Sequence, residues 1–378
     1  MEQVLDNIIK DKLNIPSYKK FIDTNLLESK NYFRLFADLT KSHVMSYNNV
    51  EGILKPIGDT VVKIIDERKL VNGYSFYLEE ENLNVICINS SVLIKLMELS
   101  IKFVENPNFF SNIGQVSNCV NHDVKKTKIE DGKIVWSTML KDKTRQDLAF
   151  IIFYFGCSML IYHEAGHLIH GHTHLCKENG YEFLSILEMA DNQTYLNDNE
   201  KYLYRQTVEM DADAYASSHI WYTLENFYKN RFEMEGAFIS SKNMMCEILI
   251  CSISIFYILM NNESSNKNID VAKCSHFPSY YRFVLAIDSI IATIKNIGTN
   301  FIAYEDLYSF APSKFWKCID IYNQININSN SKEDIKDNIE QESILKQHNI
   351  VKKYWNKLRK ILMKFSYVEL PPEYDDFN

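Results

Sequence analysis

LAFIIFYFGCSMLIYHEAGHLIHGH, residues 148–172, governs how the rest of the chain is read. Leu148 to Tyr162 is almost wholly apolar, has helical character, and leads without a break into His163-Glu164-Ala165-Gly166-His167, an HExxH motif. Residues four apart on a helix share a face, so the two imidazoles can converge on one ion. Glu164 stands about a quarter turn round from His163, within reach of a metal-bound water. Zinc lowers the pKa of such a water, and the glutamate takes its proton as the water attacks a carbonyl. The apolar lead-in is suited to anchor the helix in a core, and Gly171 is placed to end it.

Two histidines leave a catalytic zinc site one protein ligand short. The second signal is Glu209-Met210-Asp211-Ala212-Asp213-Ala214-Tyr215-Ala216. Glu209 and Asp213 are again four apart and share a helix face. Glu209 can be the third ligand. Asp213, one turn on, can accept a hydrogen bond from the free ring nitrogen of a liganding histidine and so fix its tautomer. Asp211 falls off that face and reads as a solvent-facing charge. Ala212, Ala214 and Ala216 are small enough to let this helix approach the first.

HEAGHLIHGH followed by EMDADAYA resembles the gluzincin peptidases with an HExxH…ExxAD pattern, a group that includes membrane CAAX proteases, their bacterial heat-shock relatives and the soluble phage-exclusion peptidases of the Lit type. The resemblance spans residues 148–290. It implies that His163, His167 and Glu209 bind one Zn2+ per chain, that Glu164 is the catalytic base, and that Asp213 supports a liganding histidine. His276-Phe277-Pro278 with Arg282 is similar to the His-Pro…Arg segment that follows the glutamate helix in such peptidases, with Phe277 as an insertion. On that match His276 or Arg282 stabilises the tetrahedral oxyanion; Arg282 reads equally well as the ion-pair partner of a carboxylate near the site. The Lit-like branch further implies a host-defence role with a translation factor as target.

Competing readings of the same residues stay open. HExxH can be an ordinary helix surface, or a structural zinc site, although such sites usually have four protein ligands and are often rich in cysteine. A metzincin needs HExxHxxGxxH, which His170 and Thr173 break by one position. His170, His172 and His174 then read as polar neighbours of the cleft, and Tyr162 and Tyr215 as packing aromatics. In functional terms the alternatives to an endopeptidase acting on an intracellular protein are a regulatory or toxin-like metallopeptidase cleaving a repressor or antitoxin, and a non-catalytic zinc-binding interaction protein.

Outward from the motif, residues 141–322 read as a mainly helical, zincin-like metallopeptidase core with helices near 148–170, 202–227, 244–260 and 280–297. Residues 1–140 read as an N-terminal α+β region packed on it, with strands at 74–78 and 84–88 around a polar turn, a helix capped by Asn89-Ser90-Ser91, and a short strand at 133–137. Residues 333–378 hold an amphipathic helix, 344–365, and an acidic tail, after a polar loop at 323–332. The fold class is therefore α+β, with a small N-terminal region contributing strands beside the active-site helix, where a protein or peptide substrate could add as a further strand. Lys352, Lys353, Lys357, Arg359, Lys360 and Lys364 give the last helix a basic face, suited to an anionic membrane, a partner, or plain solvent.

The 378 residues are 46% hydrophobic and 24% charged, with a net charge of −8. This is a chain able to bury a core, and its acidity argues against nucleic acid as the main partner. The eight cysteines include no CxxC pair, which fits reduced thiols and a cytoplasmic setting. The apolar runs 148–162 and 248–260 fall short of the ~18–20 residues of a membrane span, so no transmembrane span is expected.

Overall fold

The computed structural model describes residues 2–13, 15–16, 20–24, 32–49, 53–115, 128–130, 133–135, 140–178, 184–185, 198–232, 239, 241–260, 271–274, 276–298, 301–302, 304–326 and 341–374. The architecture is a mainly helical α+β fold. In chain order come α1 (Glu2–Lys12), β1 (Phe21–Ile22), α2 (Tyr32–Ser46), β2 (Asp59–Ile65), β3 (Gly73–Leu78), β4 (Leu83–Asn89) and α3 (Ser90–Glu105). The small hairpin β5 (Lys128–Glu130) and β6 (Lys133–Val135) follows, then α4 (Lys143–Ile169), α5 (His172–Glu178), β7 (Leu184–Ser185), α6 (Asp198–Phe232), α7 (Lys242–Met260), α8 (Ser279–Ile297), α9 (Tyr304–Asn326) and α10 (Gln341–Leu362).

The main sheet has the order β1-β2-β4-β3-β7. β2 runs parallel to β4, and the β3–β4 hairpin pairs Gly73 with Ile88 through Leu78 with Leu83. Its turn ends on Asn82 at φ 49°, a left-handed conformation that asparagine tolerates. Side chains alternate across a strand. Tyr74, Phe76, Leu78, Val85 and Cys87 therefore meet Ile9 of α1 and Leu13 just after it on one face, while Ile86 and Ile88 enter the helical core on the other. The same alternation turns Ser75 and Tyr77 toward the helices. Asn89 is the residue before α3, as expected, but its side chain donates to Leu70 O rather than capping the helix.

α4 starts on Asp142, whose carboxylate accepts from Arg145 N at 2.9 Å, one of the first amides of the helix. It is apolar almost all round because it is covered almost all round: by α2, α3, α6 and α7. Gly156 lets α3 in, since a Cβ there would stand 2.8 Å from Leu96 Cδ2. α4 and α7 are each long and apolar enough to cross a membrane, longer than their apolar runs suggest in the sequence. In each, 83% of the most apolar window is buried inside the protein, so the core accounts for their composition.

α4 ends where the sequence places its end: His170 caps it and Gly171 takes φ 80°. The C-terminal segment wraps this turn. Tyr367 N donates to Ile169 O at 2.8 Å, and Val368 bridges Ile53. Trp355, Leu358 and Leu362 of α10 pack with Tyr204 and Val208 of α6 and Leu175 of α5, while Lys353, Lys357 and Lys360 face solvent. Eight of these elements were not anticipated: α1, β1, α2, β2, β5, α5, β7 and α9. Residues 323–326 of the expected polar loop form the last turn of α9; residues 327–332, like the end of the 133–137 strand, lie outside the described residues.

Candidate metal centre

α4 and α6 pack closely because Gly166 has no side chain: a Cβ there would stand 3.1 Å from Tyr215 Cδ1. That approach faces His163 and His167 with Glu209. His163 Nε2 lies 3.2 Å from Glu209 Oε2 and 3.2 Å from His167 Nε2, and His167 Nε2 lies 3.5 Å from Glu209 Oε1. All three residues are buried, and their donor atoms lie within 4.8 Å of one another. Glu209 Oε2 has no partner in hydrogen-bond geometry. A buried carboxylate oxygen faced by imidazole nitrogens, without hydrogen bonds aimed at it, is the geometry of ligands that share an ion. Two imidazoles and a carboxylate therefore form a buried cluster that could hold a metal ion.

The electrostatics favour positive charge at this point. Burial would raise the Glu209 pKa, but His276 and His167 outweigh it and hold the group well below the usual carboxylate range. Burial opposes protonation of His163, yet Asp213 and Glu209 push its pKa up to about 10. His163 Nδ1 donates to Asp213 Oδ1 at 2.9 Å. Asp213 in turn accepts from Arg282 Nε at 2.7 Å and Arg282 Nη2 at 2.9 Å. Against its burial, chiefly through Arg282, its pKa is held down to about 2.

Glu164 lies beside the cluster and is 2% exposed. Its Oε2 accepts from Ser75 Oγ, the residue that the β3 alternation turns toward α4. Burial raises its pKa, with His163 and His167 pulling the other way.

The remaining candidates separate. His276 comes next to the cluster, its Nε2 3.0 Å from Glu209 Oε2. Arg282 is buried against Asp213 and lies over the Tyr257 ring, 5.0 Å from its centroid; of its two sequence readings, this is the ion-pair arrangement. Asp211 does not face solvent. It is 4% exposed and accepts from His170 Nδ1 at 2.5 Å. The reason is that α6 is buried on two faces. Tyr204, Val208, Asp211 and Tyr215 form a stripe at helical spacing that meets α5 and the turn after α4, roughly opposite the stripe of Glu209 and Asp213. Tyr162 and Tyr215 join a polar network with α2: His43 Nε2 lies 3.0 Å from Tyr215 Oη, which donates to Tyr47 Oη at 2.6 Å, and Tyr162 Oη lies 2.6 Å from Thr223 Oγ1. Sequence spacing pointed to none of Ser75, His43 or Tyr47; Ser75 at an inward strand position was the one legible hint.

No known protein family, curated protein or solved structure matches the chain.

Proposed function

We propose that the chain is a zinc-dependent endopeptidase of the gluzincin type, hydrolysing a peptide bond in a protein substrate. The observation that carries this is the spacing of the three donors. At zinc-ligand bond lengths of about 2.0–2.1 Å, two ligands in tetrahedral geometry stand about 3.3 Å apart. The two Nε2 atoms of His163 and His167 stand 3.2 Å apart, and the Glu209 carboxylate faces them with one oxygen each, Oε2 at 3.2 Å from His163 and Oε1 at 3.5 Å from His167. Three protein ligands, rather than four, fit a catalytic site. Zinc, when bound, supplies a Lewis acid that brings the pKa of water toward neutrality and polarises a carbonyl.

The chain's own groups do the rest. Ser75 holds the Glu164 carboxylate in one orientation. The burial that raises the Glu164 pKa suits it to take a proton from the attacking water and deliver it to the leaving amine. Asp213 holds the His163 ring, and Arg282 holds Asp213. Because both ends of the Arg282 fork are engaged there, His276 is the group we assign to the developing oxyanion. The outer edge of β3 beside Ser75 is the natural place for a substrate strand. Tyr74 and Ser75 are paired there by β7, so a strand adding at that point takes the place of β7.

The deciding measurement is metal content per chain by plasma mass spectrometry on wild-type and Glu209→Ala protein. One zinc in the wild type, strongly reduced in the variant, is expected. No zinc in folded wild type, or zinc unaffected by the substitution, breaks the ligand set. Glu164→Gln then separates catalysis from binding. It should keep zinc and lose cleavage of cellular proteins, read by proteomics of cells expressing each form. A non-catalytic zinc-binding protein would keep its biological effect in that variant.

A further inference from the structure

The turn that ends α4 brings two further histidines to the back of the metal centre. His167 turns Nε2 toward Glu209 and Nδ1 toward His172, with 3.1 Å between the two Nδ1 atoms. His172 Nε2 in turn lies 3.1 Å from Asp211 Oδ2, the oxygen that also accepts from His170 Nδ1. His172 is fully buried, and its Nε2 has no hydrogen-bond partner in better geometry than this off-line contact. Arg282 and His163 hold the other α6 aspartate, Asp213. The two cluster histidines are thus backed by two different carboxylates on opposite faces of one helix.

We infer that His172 and Asp211 are positioning residues of the metal centre, forming a relay His167–His172–Asp211 that fixes the tautomer and ring orientation of His167. The inference rests on the metal-centre reading above. Its logic is the counting of ring protons. A neutral imidazole that offers Nε2 to an ion carries its proton on Nδ1. The proton of His167 therefore points at His172 Nδ1, which must accept. An imidazole that accepts at Nδ1 carries its own proton on Nε2, and His172 Nε2 faces Asp211. His170 Nδ1–H holds the same Asp211 oxygen from the other side. Each ring has one consistent tautomer, and the relay ends on the buried Asp211 carboxylate. Without His172, His167 Nδ1–H would lose its acceptor inside the protein, which costs free energy in a buried site.

The cluster His170, His172 and Asp211 also has the composition of a second metal site. Its spacing argues for hydrogen bonding. His170 Nδ1 and His172 Nε2 both lie close to one oxygen, Asp211 Oδ2, and the His170 Nδ1–Asp211 Oδ2 separation of 2.5 Å is far shorter than the ~3.3 Å between two ligands of one zinc.

The test is zinc affinity by competition with a chromophoric chelator, together with the visible spectrum of the cobalt-substituted protein, for wild type, Asp211→Asn, His172→Leu, His172→Asn and the double variant Asp211→Asn/His172→Leu. Loss of an outer hydrogen-bond partner of this kind typically weakens metal binding about 10–100-fold, and Asp211→Asn and His172→Leu should each fall in that range with altered cobalt bands. The double variant should be no weaker than His172→Leu, because Asp211 acts through His172. His172→Asn, whose amide oxygen can still accept from His167, should recover most of the affinity. Wild-type affinity and an unchanged cobalt spectrum in both single variants overturn the relay. So does a second zinc per wild-type chain that Asp211→Asn removes, which would make the cluster a metal site. A folded wild type with no zinc at all overturns the metal-centre reading itself, a result distinct from either.

Discussion

Arg282→Met is the substitution whose cost the structure specifies most closely. Arg282 gives Asp213 two charge-assisted hydrogen bonds, at 2.7 and 2.9 Å, and the pair is buried, with Arg282 7% and Asp213 4% exposed. Methionine keeps much of the unbranched stem, so the packing loss is small beside the electrostatic one. What remains is a buried carboxylate that keeps His163 Nδ1 and loses its guanidinium. Breaking a buried pair by removing one partner costs about 3–5 kcal/mol. Urea denaturation of the metal-free protein should show that loss. The double variant Arg282→Met/Asp213→Leu should regain most of it, because no unpaired charge is left inside. Zinc affinity should behave differently and stay low in the double variant, since His163 still lacks the acceptor that orients it. A stability loss under about 1 kcal/mol for Arg282→Met, the range of an exposed ion pair, would refute the account, as would a double variant no more stable than the single one.

Gly171→Ala should destabilise by about 2–4 kcal/mol in a thermal or urea melt: φ is 80° and a Cβ would stand 2.6 Å from Phe365 C. Gly298→Ala, at φ 63° with nothing within 4 Å of its Cβ, should cost only about 1 kcal/mol. Ser75→Ala removes the hydroxyl that holds Glu164 and should lower kcat roughly ten- to hundredfold with zinc content unchanged; a wild-type rate would remove Ser75 from the mechanism. Burial, with help from its His219 neighbour, pushes the His43 pKa down to about 3, and burial brings His219 down to about 4. The unfolded chain then binds protons near the ordinary histidine value of about 6.5 that the folded chain refuses. Stability should therefore fall as pH drops from about 6.5 toward 4, and His43→Gln/His219→Gln should flatten that slope in urea titrations at successive pH values.

What the sequence made legible was what local chemistry alone decides. The β3–β4 hairpin followed from apolar strands round a polar turn, the end of α4 from Gly171, and the hydrogen bond of Asp213 to one of the two HExxH histidines from four-residue spacing on two helices; that the histidine is His163 came from the structure. Elements whose local signal contradicts their tertiary state were missed. α9 contains Pro312 in its interior, which in sequence argues for a break. β2 alternates weakly, with a burial pattern of one exposed, three intermediate and three buried positions. Asp211 was misplaced for a related reason: helical spacing gives the angle of a residue about the axis, and an angle opposite Glu209 reads as solvent only if the helix has one buried face. α6 has two. The second is covered by α5, the α4–α5 turn and α10, contacts that link residues far apart in the sequence.

That double burial also makes Glu209 stand out from its neighbours. α6 carries Glu209, Asp211 and Asp213 into the interior, where an unpaired carboxylate is costly. Asp213 is tied by a bidentate arginine and an imidazole, and Asp211 by His170 with His172 beside it. Hydrogen bonding therefore suffices for both. Glu209 is surrounded by three imidazoles, His163, His167 and His276, within 3.0 to 3.5 Å, yet no hydrogen bond is aimed at its Oε2. If that oxygen were satisfied by proton sharing alone, the rings would be expected to point their N–H bonds at it. Instead His163 spends its Nδ1 on Asp213, His167 its Nδ1 on His172, and both present Nε2 to a common point shared with Glu209. Rings held from behind in this way suit a cation in front of them, and for this reason the outer residues, Asp213 with Arg282 and His172 with Asp211, should control zinc affinity as strongly as they control the fold.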